Sequence, residues 1–421
     1  MDKFVIEGGK KLSGSIEISG AKNASLALMP ACLLASGKST LYNTPELNDV
    51  FTMMKLLNHL GVKSSFENHL MKLDTKNITS QDAPYEHVKK MRASVYVLGP
   101  LLTKYGLAKV SLPGGCAWGP RPINLHLEGL KKLGAEIDLV EGYIIAKSNR
   151  LTGARINFDI SSVGATGNIL MAATLAKGTT VLNNAALEPE ITNLAEFLLK
   201  MGAKINGIGT STLEVEGVDE LHPAEIETIP DRIEAGTMLI AGAITNGSVT
   251  LTNFPSKLIN SVLSKLEDSG CKIKIEGNSL SLDADSNEIH SVDITTAIYP
   301  GFPTDMQAQW TAYMAIASGT STVTDTIYLD RFKHVPELLR LGANINVNDN
   351  SAVIKGVSKL KAAKVMSTDL RASACLVLAG LAAEGSTEVL RVYHLDRGYQ
   401  KIEEKLCLLG ADIQRVKGSE Y

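Results

Sequence analysis

The chain has 421 residues, 44% of them hydrophobic, with 42 Lys and Arg set against 45 Asp and Glu. That length and apolar content predict roughly two or three domains with substantial cores and exclude a disordered chain. A net charge of -3 and a pI near 6.3 exclude a protein that coats nucleic acid or acidic membrane, because such binding needs a clustered cationic footprint. No apolar run reaches the ~18 residues of a membrane helix, and Met1-Asp2-Lys3-Phe4-Val5-Ile6-Glu7 lacks the hydrophobic core of a signal peptide. A cytoplasmic protein without membrane insertion is expected.

From the N-terminus onward, a leucine-rich stretch ending in Gly recurs six times, at Gly61, Gly134, Gly202, Gly270, Gly342 and Gly410. A second landmark, a Gly that closes an apolar stretch before a Thr/Val-rich run, falls at Gly37, Gly106, Gly178, Gly247, Gly319 and Gly385. Both keep a period of roughly 70 residues, which predicts six structural repeats. Each repeat reads as helix, Gly, strand, helix, Gly and a strand or hairpin, with glycines where a helix end needs a left-handed residue. In residues 272–282 the apolar Ile273, Ile275, Leu280 and Leu282 alternate with polar neighbours, the pattern of a hairpin with one buried face. Segments such as 165–176 and 236–244 are apolar nearly all round, as a helix at the centre of a domain is. The fold class is α+β, with helices inside and sheets outside.

The residues at the starts of these buried helices are Lys22, Arg92, Ser162, Asp231, Asp305, Asp369 and Arg371. Ordinary capping accounts for Ser162 and the three aspartates. Lys22, Arg92 and Arg371 oppose the helix dipole, so they point to anions bound there. The motifs Gly37-Lys38-Ser39 and Gly207-Ile208-Gly209 lack the remaining glycines of nucleotide-binding loops. His126, His334 and His394 show no metal-ligand spacing and read as hydrogen-bonding residues.

The five cysteines are odd in number and scattered, so neither a disulfide framework nor a structural zinc is indicated. Cys32, Cys271, Cys375 and Cys407 sit in apolar contexts and read as small buried hydrophobes. Cys116 differs: it lies in Pro113-Gly114-Gly115-Cys116-Ala117-Trp118-Gly119-Pro120-Arg121-Pro122, a shaped loop that places a thiol beside a guanidinium, the setting of a reactive cysteine.

This loop, together with Ser19-Gly20-Ala21-Lys22-Asn23-Ala24, Pro230-Asp231-Arg232-Ile233-Glu234, Phe302-Pro303-Thr304-Asp305-Met306, Asp369-Leu370-Arg371-Ala372-Ser373 and His394-Leu395-Asp396-Arg397-Gly398-Tyr399, resembles the UDP-N-acetylglucosamine enolpyruvyl transferases. The likeness runs in order along essentially the whole chain. It implies two inside-out α/β-barrel (prism) domains of three repeats each, one spanning 22–229 and carrying the Cys116 loop, the other made of 1–21 and 230–421. It implies transfer of the enolpyruvyl group of phosphoenolpyruvate to the 3-hydroxyl of UDP-N-acetylglucosamine, with no metal or organic cofactor, by a monomer or weak homo-oligomer.

Residue by residue, the resemblance implies that Lys22, Asn23 and Arg397, helped by Arg121, hold the phosphate and carboxylate of phosphoenolpyruvate. Arg92, Arg121, Pro122, Ile123, Asn124, Leu125, Ser162, Val163, Gly164, Asp305 and Ile327 line the nucleotide-sugar site. Asp305 takes the hydroxyl proton, Cys116 serves as general acid or covalent partner, and Arg331, Asp369 and Arg371 serve closure and product release. The sequence departs from the family at Trp118 and Pro120, at Asn124, where Asp is frequent, and at Ile160, where some members have Lys. The alternatives are the shikimate-pathway enolpyruvyl transferases, which share the fold but not this Cys loop, and a non-catalytic repeat scaffold.

Overall fold

The computed structural model describes residues 2–89, 91–112, 123–284 and 288–417. The chain divides into two compact units, Gly20–Ile229 and a second made of Met1–Ser19 with Pro230–Tyr421. The sequence-based boundary at 21/22 lies two residues beyond the break at 19/20.

Among the described residues, six four-stranded sheets share one pattern, a parallel pair extended by two antiparallel strands. The unit 20–229 contains three of them. In one, Glu225–Glu227 lies parallel to Lys38–Tyr42, which pairs with the hairpin of Lys63–Glu67 and Leu70–Asp74. The other two are built on Leu107–Ser111 and Thr179–Asn183 in the same way. Strand residues alternate between buried and exposed, as Thr212–Glu216 shows, because one face meets the helices and the other meets solvent.

The inner helices of this unit, Lys22–Ala31, Leu98–Tyr105 and Val163–Ala173, are buried over most of their length and form one core with the apolar faces of the sheets. The outer helices Asn48–His59, Asn124–Lys132 and Pro189–Lys200 bury one stripe each.

The second unit repeats this plan around Arg232–Ile244, Gln307–Met314 and Leu370–Ala382, with a core of its own. Two of its sheets need strands from the start of the chain. Asp2–Glu7 sits between Ser386–Leu390 and Asp412–Lys417, antiparallel to both, and Ser13–Glu17 runs parallel to Ser248–Thr252.

Gly61, Gly106, Gly134, Gly202, Gly270, Gly342 and Gly410 end helices as their spacing predicts, whereas Gly37, Gly178, Gly247, Gly319 and Gly385 lie further past the helix end, immediately before a strand. All have positive φ except Gly247, whose left-handed role passes to Asn246 at φ 51. Gly247 is needed for another reason: a Cβ there would lie 2.0 Å from the carbonyl oxygen of Leu12. Among the described residues no helix is long and apolar enough to cross a membrane.

Candidate active site

The two units are taken separately. In Gly20–Ile229, Lys22 opens its helix with no capping side chain before it, and its ammonium stands 4.0 Å from the carboxylate of the buried Asp49. Asn23 follows it and is exposed. Arg92 opens the short helix Arg92–Val97. The Ser162 hydroxyl accepts a hydrogen bond from Ala165 N at 3.3 Å, the cap expected of it.

The starts at Arg92 and Ser162 meet around His126, which the sequence pattern marks only as a hydrogen-bonding residue. The Asn168 amide donates to Val95 O at 2.8 Å, and its Oδ1 accepts from Gly99 N at 2.7 Å. It therefore presents an N–H to His126 Nδ1, 3.0 Å away, and the imidazole proton belongs on Nε2. Burial and then the nearby Arg92 push the His126 pKa down to about 4, so the ring stays neutral. Its Nε2 faces Gly164, where an added Cβ would lie 3.0 Å away, so the ring and the glycine fit each other. The Tyr96 hydroxyl donates to Val163 O at 3.3 Å, tying the Arg92 helix to the segment 162–164. Ile123, Asn124 and Leu125 form the first turn of the His126 helix. Arg92, 123–125 and 162–164 are thus brought into one neighbourhood.

In the second unit, Asp305 is the centre. Its carboxylate binds two guanidiniums. Arg331 donates to Oδ1 at 2.7 Å and Arg371 to Oδ2 at 2.6 Å. Both arginines are buried, and they lie 26 and 66 residues away along the chain, so no local pattern announces them. Burial weighs most against the charge of Arg371, but Asp305, Tyr399 and Asp231 together outweigh it and its pKa is raised. The second Arg371 nitrogen donates to the Tyr399 hydroxyl at 3.2 Å, which also meets Thr237 at 2.9 Å and Gln309 at 3.1 Å.

On the other side, Arg331 donates to Thr304 Oγ1 at 2.8 Å, and Thr304 donates to the fully buried Asp325 at 2.7 Å. Asp325 also accepts from Thr296 and from the backbone N–H groups of Ile327 and Tyr328, which fixes the segment holding Ile327. The sequence reading missed Asp325, although an Asp at a strand end, able to bond N–H groups two and three residues on, is a turn signal. Asp369 and Asp231 are true caps, each accepting two N–H groups of its own helix. Arg397 ends the short helix Val392–Arg397, half-buried.

Cys116, Arg121 and Pro122 lie outside the described residues. Cys32, Cys271 and Cys375 are buried, as expected, and burial pushes the Cys32 thiol up to about 12. Cys407 corrects the expectation: it is exposed, because it faces away from the buried stripe of helix Ile402–Leu408. No group of three His, Cys, Asp or Glu among the described residues is placed to hold a metal ion.

Comparison with known proteins places this arrangement. The model of the family described as EPSP synthase (3-phosphoshikimate 1-carboxyvinyltransferase) matches residues 6–406. The chain is 58% identical to a UDP-N-acetylglucosamine 1-carboxyvinyltransferase of Chloroherpeton thalassium, covering 100% of this chain and 99% of that one. It is 57% identical to one of Chlorobium phaeovibrioides, covering both chains completely. Among solved structures, the enolpyruvyl transferase NikO from Streptomyces tendae superposes with a TM-score of 0.90 at 25% identity over 99% of each chain. EPSP synthase from Acinetobacter baumannii gives 0.77 at 16% identity over 99% of this chain and 100% of its own, a likeness of fold alone. Six repeats, a matching family model and full-length relatives above half identity lead to one conclusion: the chain belongs to the EPSP synthase family and, within it, to the UDP-N-acetylglucosamine 1-carboxyvinyltransferases.

Proposed function

We propose that the chain transfers the enolpyruvyl group of phosphoenolpyruvate to the 3-hydroxyl of UDP-N-acetylglucosamine and releases phosphate, the first committed step of peptidoglycan biosynthesis, in the cytoplasm. The observation that carries this reading is full-length identity of 54–58% to relatives named for that transfer, against 16% to an EPSP synthase of the same fold. The shikimate-pathway alternative is not favoured.

The reaction needs an acid and a base. Protonating C3 of phosphoenolpyruvate makes C2 electrophilic, a base relieves the attacking alcohol of its proton, and the tetrahedral adduct then expels phosphate to restore the double bond. We assign the acid to Cys116 and the base, or the group that orients the alcohol, to Asp305. A carboxylate offers about four lone-pair sites, so with Arg331 and Arg371 taking one each Asp305 keeps acceptor capacity for the sugar hydroxyl. Lys22, Asn23, Arg121 and Arg397 are assigned to the phosphate and carboxylate of phosphoenolpyruvate. Arg92, Arg121 to Leu125, Ser162 to Gly164 and Ile327 are assigned to the nucleotide sugar. In this reading each unit is one enolpyruvyl transferase domain, with Cys116 on the unit 20–229.

Incubation with both substrates should release inorganic phosphate in step with an enolpyruvyl ether of the nucleotide sugar. Replacing the nucleotide sugar by shikimate 3-phosphate should release none. Turnover only with shikimate 3-phosphate, or with neither acceptor, overturns the reading.

A further inference from the structure

Arg415 lies on the last strand, opposite Phe4 in the ladder, with its guanidinium 5.0 Å from the Phe4 ring centre. Its fork binds two carboxylates on two different elements. It donates to the two oxygens of Asp396 at 3.0 and 2.6 Å, and to the two oxygens of Glu403 at 2.6 and 3.3 Å. The Asp2 carboxylate stands a further 3.7 Å away. Asp396 immediately precedes Arg397, and Glu403 is in the helix Ile402–Leu408 that follows. The residues that bracket this stretch, Arg391 at φ 59 and Lys401 at φ 44, are left-handed without being glycine, a backbone state that L side chains disfavour.

A segment bent in this way at both ends needs an external tie to keep one conformation. An isolated exposed ion pair contributes little, but a guanidinium bidentate to two half-buried carboxylates fixes both position and direction. The aromatic ring beneath it and the strand that carries it belong to a sheet, which is rigid compared with the segment it holds.

We propose that Arg415 is a positioning residue for phosphoenolpyruvate: by gripping Asp396 and Glu403 together it holds residues 392–401 in the conformation that delivers Arg397 to the anionic groups of that substrate. The proposal rests on the transferase reading above. It concerns one substrate only, because the residues assigned to the nucleotide sugar are outside the segment.

The test is steady-state phosphate release with each substrate varied in turn, together with thermal unfolding, for Arg415→Met and Arg415→Lys. Arg415→Met should raise the KM for phosphoenolpyruvate by about tenfold or more while the KM for the nucleotide sugar stays within about twofold, since an ångström of misplacement is enough for such a loss. Arg415→Lys keeps the charge but not the fork, and should fall between. A lower melting temperature with an unchanged phosphoenolpyruvate KM, or an equal rise of both KM values, overturns the proposal. If Arg415→Met fails to fold, Asp396→Asn with Arg415→Lys decides: each should raise the phosphoenolpyruvate KM by about threefold or more, and no change overturns it. A native chain that turns over neither substrate pair removes the transferase reading, and this proposal with it.

Discussion

Asp305 is held by two guanidiniums, whereas Asp231 and Asp369 spend their oxygens on helix N–H groups, and this difference separates the three carboxylates by experiment. Asp305→Asn should bind the nucleotide sugar within about tenfold of the native chain and lose on the order of 10²-fold or more in turnover, the scale of a positioned acid–base group. Asn caps helices as well as Asp does, so Asp231→Asn should leave turnover within a few-fold, and Asp369→Asn should keep its helix cap, so that a loss there reports the role in closure and product release. Equal losses at all three positions would remove Asp305 from its special role. His126 carries a second prediction at this scale. Its pKa of about 4 in the fold, against an ordinary 6.5, means that the unfolded chain takes up the proton first as pH falls. The neutral ring's contribution is therefore complete above pH 6.5 and is lost progressively down to pH 4, a change of about 3 kcal/mol at ~1.4 kcal/mol per pK unit. Urea midpoints measured between pH 7 and pH 4.5 should fall with a slope that His126→Gln reduces by about one proton; an unreduced slope would contradict the burial argument.

Among the elements, helix ends were legible because a left-handed residue is a local demand that glycine meets, and Gly61, Gly134 and their repeats state it in sequence. The buried helices were legible from composition. Partnership was not. That Gly247 faces Leu12, or that Arg371 reaches Asp305 across almost one full repeat, depends on closing loops that leave no periodic trace. Position alone therefore gives Asp305 a capping role, and only the family resemblance assigns it to the sugar hydroxyl, while Asp325, which holds Thr304 and through it Arg331, carries no more than a turn signal. The repeats also leave a mark on their strands. Thr180 and Thr387 occupy the same place in two of them, fully buried, with hydroxyls that meet no partner among the described residues. Thr180→Val and Thr387→Val remove a desolvated hydroxyl while keeping the branched shape. Each should raise stability by about 1 kcal/mol, read as a higher urea midpoint at unchanged slope. A lower midpoint would show that the hydroxyl is satisfied in solution.

For the whole molecule, the two units differ in how they are assembled. All strands and helices of Gly20–Ile229 come from one continuous segment with its own core, whereas the other unit draws strands from both ends of the chain. Residues 20–229 produced alone should unfold cooperatively and give a protease-resistant core. Residues 230–421 alone lack the strand that joins Ser386–Leu390 to Asp412–Lys417, and should not. Failure of the first would mean that its core is not sufficient alone, and cooperative unfolding of the second would mean that its sheets do not need the strands of residues 1–19. The family resemblance already places residues 1–21 with the second unit, but which strands they join is not legible in the sequence, since those partners are made hundreds of residues later.

That late partnership sets a timetable for the ribosome. Ser13–Glu17 waits for Ser248–Thr252, and Asp2–Glu7 waits for Ser386–Leu390 and Asp412–Lys417. At ~5–20 residues per second, the first delay is about 10–50 s and the second about twice that. Through that interval Phe4, Ile6 and Ile16, all buried in the finished protein, travel on a nascent chain whose 20–229 unit can already be complete. Residues 2–17 are thus made before the unit 20–229 and housed after it, which makes this segment the natural customer for a holding chaperone during synthesis.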